Sequence, residues 1–162
     1  IGAALCSTKI YGAIEQGSGF FQHGHTYLGH PMAAAAANAV LDVFFDQGVL
    51  DQVTPLGQDL QSRLEQAFGQ HPHVGDIRGR GLFRGIEFVS DRDTKTPFDP
   101  ALGLAGKIKS AAFDAGLICY PMPGTRDGRE GDHVLLAPPF IIDDSQITEL
   151  VSKLGQAIDA SI

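Results

Sequence analysis

The densest group of potentially reactive side chains lies in one segment, Phe21-Gln22-His23-Gly24-His25-Thr26-Tyr27-Leu28-Gly29-His30-Pro31. Its three histidines could converge on zinc, although structural zinc sites are normally completed by cysteines and this segment has none. A second interpretation is a glycine-rich turn whose histidines satisfy buried backbone groups. A third is anion binding, because Gly24 and Gly29 let N–H groups approach a ligand, and the Thr26 hydroxyl can donate close to a predicted helix start. Spacing alone leaves all three open.

Two later segments also combine glycine with charged side chains. The first is Ile77-Arg78-Gly79-Arg80-Gly81-Leu82-Phe83-Arg84-Gly85-Ile86-Glu87, and the second is Gly131-Asp132-His133-Val134-Leu135-Leu136-Ala137-Pro138-Pro139-Phe140. Taken in order, the three segments resemble the H-G-x-T-Y-x-G-H-P, R-G-x-G-L…G-I-E and G-D-x-x-x-x-A-P-P motifs of the class III pyridoxal-phosphate-dependent aminotransferases. The resemblance covers essentially the whole chain.

The resemblance implies a fold and an activity. The expected fold is α+β on an α/β family scaffold: the C-terminal small domain of a fold-type-I transferase with the last elements of its large domain. Residues 1–47 would end the large cofactor-binding domain with a strand, a helix, a phosphate-contact loop and an alanine-rich helix, and residues 48–162 would form the small domain. The expected activity is amino transfer from an amino acid or ω-amine donor to a keto acid such as pyruvate.

The resemblance also assigns residues to the cofactor, pyridoxal 5'-phosphate. Thr26 and the backbone of His25 would contact the cofactor phosphate of a neighbouring identical subunit, so the protein is expected to be a homodimer. Tyr27 would line the site as a substrate-binding residue, or only pack beside it. The lysine that holds the cofactor as a Schiff base lies, in the family, shortly before the segment that Ile1 begins. We therefore expect a fragment with no catalytic residue of its own, inactive alone.

Substrate recognition points to arginines, because a guanidinium binds a carboxylate through two parallel hydrogen bonds. Several family members place such an arginine shortly before the A-P-P element, where this chain has Tyr120. The loop that follows supplies Arg126 and Arg129 as substitutes, although exposed loop arginines are more often solvated. The loss of the arginine favours an ω-amino acid or amine donor.

Arg84 is a further substrate-binding candidate, since it flanks the glycine-rich strand together with Arg80. The alternative for either arginine is a structural charge pair with Glu87 or another neighbour. The lysines fall outside the family motifs and are predicted to be solvated surface charges; they are Lys9, Lys95, Lys107, Lys109 and Lys153.

Two alternative functions stay open. One is a decarboxylase or aminomutase on the same scaffold, because a shared fold and cofactor do not determine the reaction. The other is a non-catalytic α+β interaction module. Upstream active-site residues and substrate tests would separate the enzymes from each other, and a start codon just before Ile1 would favour the module.

Hydrophobic periodicity places the motifs on elements. The first part of the chain is predicted to form a strand at 1–6, a helix at 8–16, a loop at 17–30 and a helix from Pro31 to about Asp46. An amphipathic helix ending at Phe68 follows, then an irregular segment at 69–81, a strand at 82–90 and a loop at 91–100. The last part is predicted to form a helix at 101–115, paired strands at 117–120 and 134–137, and a closing helix. Gly116 is expected to stop the fourth helix in a left-handed conformation. Asp143 and Gln146 predict a capping box before the last one.

Composition narrows the class of protein. The chain has 162 residues, 43% of them hydrophobic, and 12 Lys and Arg against 19 Asp and Glu give a net charge of −7. Such a chain can bury a core and has no general attraction to nucleic acids or anionic membranes. No apolar stretch approaches the roughly 20 residues that span a bilayer. The cysteines, Cys6 and Cys119, have no motif spacing and predict reduced thiols in a cytoplasmic protein.

Overall fold

The computed structural model describes residues 2–162, which divide into two compact units. The first unit extends to Gly48, and the second runs from Val49 to Ile162. The first unit carries the histidine-rich segment, whereas the second carries the two later motifs. The candidate residues therefore fall into two groups on separate units.

The first unit consists of two helices joined by a long loop. Helix α1 (Thr8–Gln16) follows Ser7, whose hydroxyl accepts the Ile10 N–H at 3.4 Å. Helix α2 (Pro31–Asp46) has proline in its first turn, where the missing N–H leaves no bond unmade. Both predicted helices are confirmed, and none of their residues is buried.

The predicted opening strand is wrong for residues 2–6, which adopt no regular structure. Ile1, its first residue, lies outside the described residues. An apolar run becomes a strand only when a neighbouring strand pairs with it. The first unit has no strand among its described residues, so residues 2–6 have no partner within it.

The second unit is built on a four-stranded antiparallel sheet in the order β1-β2-β4-β3. Its strands are β1 (Val74–Arg80), β2 (Phe83–Phe88), β3 (Tyr120–Pro123) and β4 (Asp132–Leu136). Alternate residues of β2 and β4 are buried, among them Ile86 and Val134, which lie directly opposite each other. One sheet face therefore forms the core, and the other carries the intervening side chains.

Three helices pack with the core face of this sheet: α3 (Val49–Phe68), α4 (Leu104–Asp114) and α5 (Asp144–Asp159). The core includes Leu60, Ile108 and Ile147, one from each helix. The result is the α+β arrangement that the sequence predicts. Among the described residues no single helix is long and apolar enough to cross a membrane, and only α2 and α3 together, as a pair broken by a bend, reach that length and composition.

Strand β1 occupies part of the segment predicted to be irregular, so that prediction is wrong. Val74 and Ile77 are its only large apolar residues, too few for a periodic signal. The strand forms because its backbone pairs with β2 along nearly its whole length, with a bulge between Val74 and Asp76. Pairing with a distant segment cannot be read from local composition.

Two other elements differ in their bounds. The helix predicted over 101–115 is split into a short 3₁₀ turn (Pro100–Leu102) and α4, because Gly103 between them is left-handed with φ 61°. Strand β3 begins at Tyr120, where the predicted strand ends, and its prolines are tolerated at a sheet edge. The predicted stop at Gly116, with φ 78°, and the capping box of α5 are confirmed.

Candidate functional site

The loop before α2 places Thr26 in an exposed turn. The carbonyl of His25 accepts the Leu28 N–H at 3.0 Å, and that of Tyr27 accepts the His30 N–H at 3.1 Å. Gly29 completes the turn in the left-handed region, with φ 68°, which glycine adopts without strain. The chain then enters α2 through His30, whose Nδ1 accepts the Ala33 N–H at 3.3 Å. These contacts connect the turn to the helix start through local backbone bonds.

Thr26 has free donors in this turn. Within residues 2–162, neither its hydroxyl nor its N–H makes a hydrogen bond, and the residue is exposed. The His25 N–H is also without an acceptor among the described residues. A hydroxyl and adjacent amides are suitable neutral donors to a phosphate. The donor set therefore fits an anionic group approaching from outside this chain.

The other side chains of this loop contact one another. Tyr27 is exposed and meets the His30 ring edge-on, with centroids 5.6 Å apart. The rings of His23 and His25 are also edge-on, at 6.2 Å. Across the described part of the chain, no three His, Cys, Asp or Glu side chains come together as a possible metal site.

Arg84, a predicted substrate-binding residue, lies on the core face of the sheet with only 8% of its surface exposed. Its Nη2 donates to the carbonyl of Gly57 in α3 at 2.7 Å. Tyr120 is on the opposite face, because it pairs directly with the outward Leu135, whereas Arg84 pairs with the buried Leu136. The structure therefore does not bring Arg84 and Tyr120 together.

The alternative of a charge pair between Arg84 or Arg80 and Glu87 also requires correction. The partner of Glu87 is Arg78, whose Nη1 lies 2.6 Å from Oε2 of Glu87 and 2.8 Å from Oδ2 of Asp76. These two carboxylates raise the pKa of Arg78. Arg78 and Glu87 share the outward face, whereas Arg84 points to the core, as strand alternation requires.

Arg126 and Arg129 lie in the loop between β3 and β4. Both are exposed, and the nearest carboxylate to Arg126 is Glu130, at 3.9 Å. Asp127 organises the loop by accepting the N–H groups of Arg129 and Glu130, each at 2.8 Å, and these bonds lower its pKa. The loop backbone is thus ordered locally while both guanidinium groups stay near solvent.

Two residues of the third motif have contacts that the sequence analysis did not predict. The buried Asp132 accepts the Ala105 N–H at 3.1 Å and so caps α4. On the outward face, Nδ1 of His133 lies 2.7 Å from Oγ1 of Thr125. This pair borders a depression of about 590 Å³ whose apolar lining includes Phe83 and Leu135. The sequence signal that could have found both contacts is strand alternation, which puts the neighbouring side chains of Asp132 and His133 on opposite faces of the sheet.

The chain is similar to known proteins over almost its whole length. The model of the family described as aminotransferase class-III matches residues 1–158. The chain is 41% identical to the uncharacterized aminotransferase YodT of Bacillus subtilis (strain 168), over 99% of this chain and 36% of that protein. It is 32% identical to the chloroplastic gamma aminobutyrate transaminase 3 of Solanum lycopersicum, over 98% of this chain and 29% of that protein.

A solved structure agrees in fold. The PLP-bound aminotransferase mutant from Vibrio fluvialis superposes with a TM-score of 0.80 at 35% identity, over 94% of this chain and 32% of that one. The chain therefore spans about a third of the length of the relatives that it matches.

Proposed function

Because this chain belongs to the class III aminotransferases, we propose that the protein containing it transfers an amino group to a keto acid with pyridoxal 5'-phosphate as cofactor. The family match extends over almost the whole chain, and the relatives described above are named aminotransferases or transaminases. Those names favour amino transfer over decarboxylation or aminomutation on the same scaffold.

The observation that carries the proposal is the unused donor set around Thr26. Its hydroxyl and N–H are exposed and make no hydrogen bond among residues 2–162. A phosphate needs several fixed donors, and this turn offers them without a competing carboxylate in the same segment. Thr26 and the His25 N–H would hold the cofactor phosphate.

The cofactor and the residues of this chain would have separate roles in the reaction. Bound pyridoxal phosphate supplies the electron sink for amino transfer. Thr26 binds and orients the phosphate, and Tyr27 borders the same turn. The lysine that exchanges protons with the substrate is expected outside residues 1–162, so this chain alone should have no transaminase activity. In a homodimer, the Thr26 turn of each copy would contact the cofactor phosphate bound by the other copy. The homodimer is therefore part of the proposal.

The proposed donor is an ω-amino acid or amine, and the acceptor is a keto acid such as pyruvate. One relative is named for gamma-aminobutyrate, an ω-amino acid. The aromatic Tyr120, which is exposed on the outward sheet face, stands where several family members have a carboxylate-binding arginine. A donor without an α-carboxylate does not require that arginine.

The test is cofactor retention by the protein that contains this chain. Thr26→Ala removes one donor to a charged phosphate, so we expect retention to weaken by about 1.5 to 3 kcal/mol, roughly 10- to 150-fold. Thr26→Ser keeps the hydroxyl and is the matched control. The absorbance of bound pyridoxal phosphate during dialysis measures retention, and amino transfer from gamma-aminobutyrate to pyruvate measures the reaction.

Equal retention by Thr26→Ala and the unmodified protein would remove Thr26 from the phosphate site. A protein that binds no pyridoxal phosphate at all would overturn the proposed function itself. Retention of the cofactor without transfer from any ω-amine would leave the family assignment in place and reject the donor.

A further inference from the structure

Arg84 is a buried side chain that cannot become neutral. Only 8% of its surface is exposed, and a guanidinium remains protonated in proteins. A buried charge is stable only when it is paired with an opposite charge or its hydrogen-bond donors are satisfied. The partners of Arg84 should therefore account for its five N–H groups.

Most of those N–H groups have no acceptor among the described residues. Nη2 donates to the carbonyl of Gly57 at 2.7 Å, which is the only hydrogen bond that the side chain makes within residues 2–162. Nε is fully enclosed and has no partner. Nη1 also makes no bond among the described residues but is not enclosed, so it reaches the surface. None of the described carboxylates lies within 4.0 Å of the guanidinium.

Two other arginines of this chain each have two carboxylate partners. Arg63 is paired with Asp59 and Asp144, and Arg78 with Asp76 and Glu87, although both arginines are more exposed than Arg84. Exposed pairs gain little stability because water already solvates the charges. Arg84, the most buried arginine of residues 2–162, is thus without the carboxylate partners that these more exposed arginines have.

The backbone around Arg84 is shaped to hold this side chain. Gly79 lies directly opposite Arg84 in the sheet, and a Cβ at Gly79 would lie 2.9 Å from Cδ of Arg84. A Cβ at Gly57 would overlap the carbonyl of Gly81. The glycines at positions 57 and 79 thus keep α3 and β1 close enough to enclose the side chain. The bond from Nη2 to the Gly57 carbonyl holds the guanidinium against α3.

We propose that the guanidinium of Arg84 binds a carboxylate that residues 2–162 do not supply. A carboxylate brings a full negative charge and two oxygens, which match the parallel N–H groups of a guanidinium. It enters where Nη1 reaches the surface. The carboxylate belongs to a small molecule, to an acidic side chain of a second copy of the chain, or to a part of the protein outside residues 1–162, and all three have the same chemistry at Arg84.

The experiment follows the Nε–Hε signals of arginine by NMR in the ¹⁵N-labelled chain. Sodium acetate is titrated against sodium chloride at constant ionic strength. We expect the Arg84 signal to shift with acetate until it saturates, and to stay unmoved in chloride. The Arg63 signal is the internal control, because its two carboxylates already occupy it. The Arg84 signal is assigned by its loss in Arg84→Lys or, if that variant does not fold, by through-bond correlation in the unmodified chain.

An Arg84 signal that acetate moves no further than chloride does, both in the concentrated sample and after tenfold dilution, would overturn the proposal, since the guanidinium would then take up no carboxylate. Dilution shows whether a second copy supplies the carboxylate in the supporting case. If the acetate-free signal changes on tenfold dilution and acetate reproduces the concentrated position, a second copy supplies the group. If dilution leaves it unchanged while acetate still moves it, the site is open in this chain and its carboxylate does not come from a second copy. Neither result depends on the proposed transaminase activity.

Discussion

Gly57 is required by a contact and not by its backbone conformation. It lies inside α3, and a Cβ at this position would overlap the carbonyl of Gly81. We expect Gly57→Ala to destabilise the second unit by about 1 to 3 kcal/mol through overpacking. Gly106→Ala is the matched control, because Gly106 is also helical but has no atom within 4 Å of its Cβ position. That variant should gain up to about 1 kcal/mol from helix propensity.

The midpoint of urea unfolding measures both variants. Two variants of equal stability would show that the space between α3 and Gly81 admits a methyl group. A loss in both would point to a general intolerance of helix changes, since only Gly57 faces a backbone contact.

His71 gives the fold a pH dependence at the residue scale. Burial, and to a smaller extent the charge of His73, lower the pKa of His71 below its ordinary value of 6.5, while Asp159 opposes them. As pH falls through 6.5, His71 therefore binds a proton in the unfolded chain before it does so in the folded chain. The stabilising contribution is complete above pH 6.5 and is lost as pH falls below it, until the folded pKa is reached. Nδ1 of His71 also accepts the His73 N–H at 3.2 Å.

We expect His71→Gln to flatten the dependence of the free energy of unfolding on pH between about 7 and the folded pKa of His71. Urea titrations at a series of pH values measure it. The variant should keep the loss at lower pH that comes from Asp143, whose pKa is lowered by its bonds to Ser145 and Gln146. An unchanged slope in the variant would show that His71 titrates alike in both states.

At the scale of elements, the N-terminus of α2 depends on a histidine cap. Nδ1 of His30 accepts the Ala33 N–H, and Pro31 fills the first turn. We expect His30→Ala to cost about 1 kcal/mol of helix stability, and His30→Asn to restore most of it. Amide hydrogen exchange within α2 measures the change directly. Exchange that is equally slow in His30→Ala would mean that the cap bond contributes nothing.

Elements with local signals were predictable from sequence. Pro31 marks the start of α2, and Asp143 with Gln146 marks that of α5, because proline and capping groups act within one turn. Strand β1 was not predictable, since Val74 and Ile77 are too few to show a period and its pairing partner is distant.

The candidate site residues also divide into those that a local motif predicts and those whose environment depends on distant pairing. The turn around Thr26 follows from a contiguous motif, and the structure shows its donors exposed and unused among the described residues. The burial of Arg84 depends on which face of β2 packs against the helices. That face is set by strand register, and a shift of one residue would reverse it. Composition near Arg84 carries no information about it.

At the scale of the whole molecule, the two units differ in the features that hinder association with another chain. The edge strands of the second unit are protected: Gln61 and Lys95 donate to the carbonyls of Ile77 and Gly75 in β1, and β3 contains two prolines. Such features hinder the addition of a further strand. In the first unit neither helix has a buried residue, and large apolar side chains are exposed along the loop between them.

The first unit should therefore drive self-association of this chain. Phe20 and Phe21 are 66% and 65% exposed, and clustered apolar surface of this kind normally marks an interaction site. We expect light scattering to show a mass that rises with concentration, and Phe20→Ser with Phe21→Ser to lower it. Ile118→Ser is the control, because Ile118 is 88% exposed on the second unit and should not change the mass. A chain that stays monomeric and binds no apolar dye would contradict this. An equal effect of Ile118→Ser would show that the second unit contributes to the contact as well, through side-chain surfaces, because its strand edges are protected.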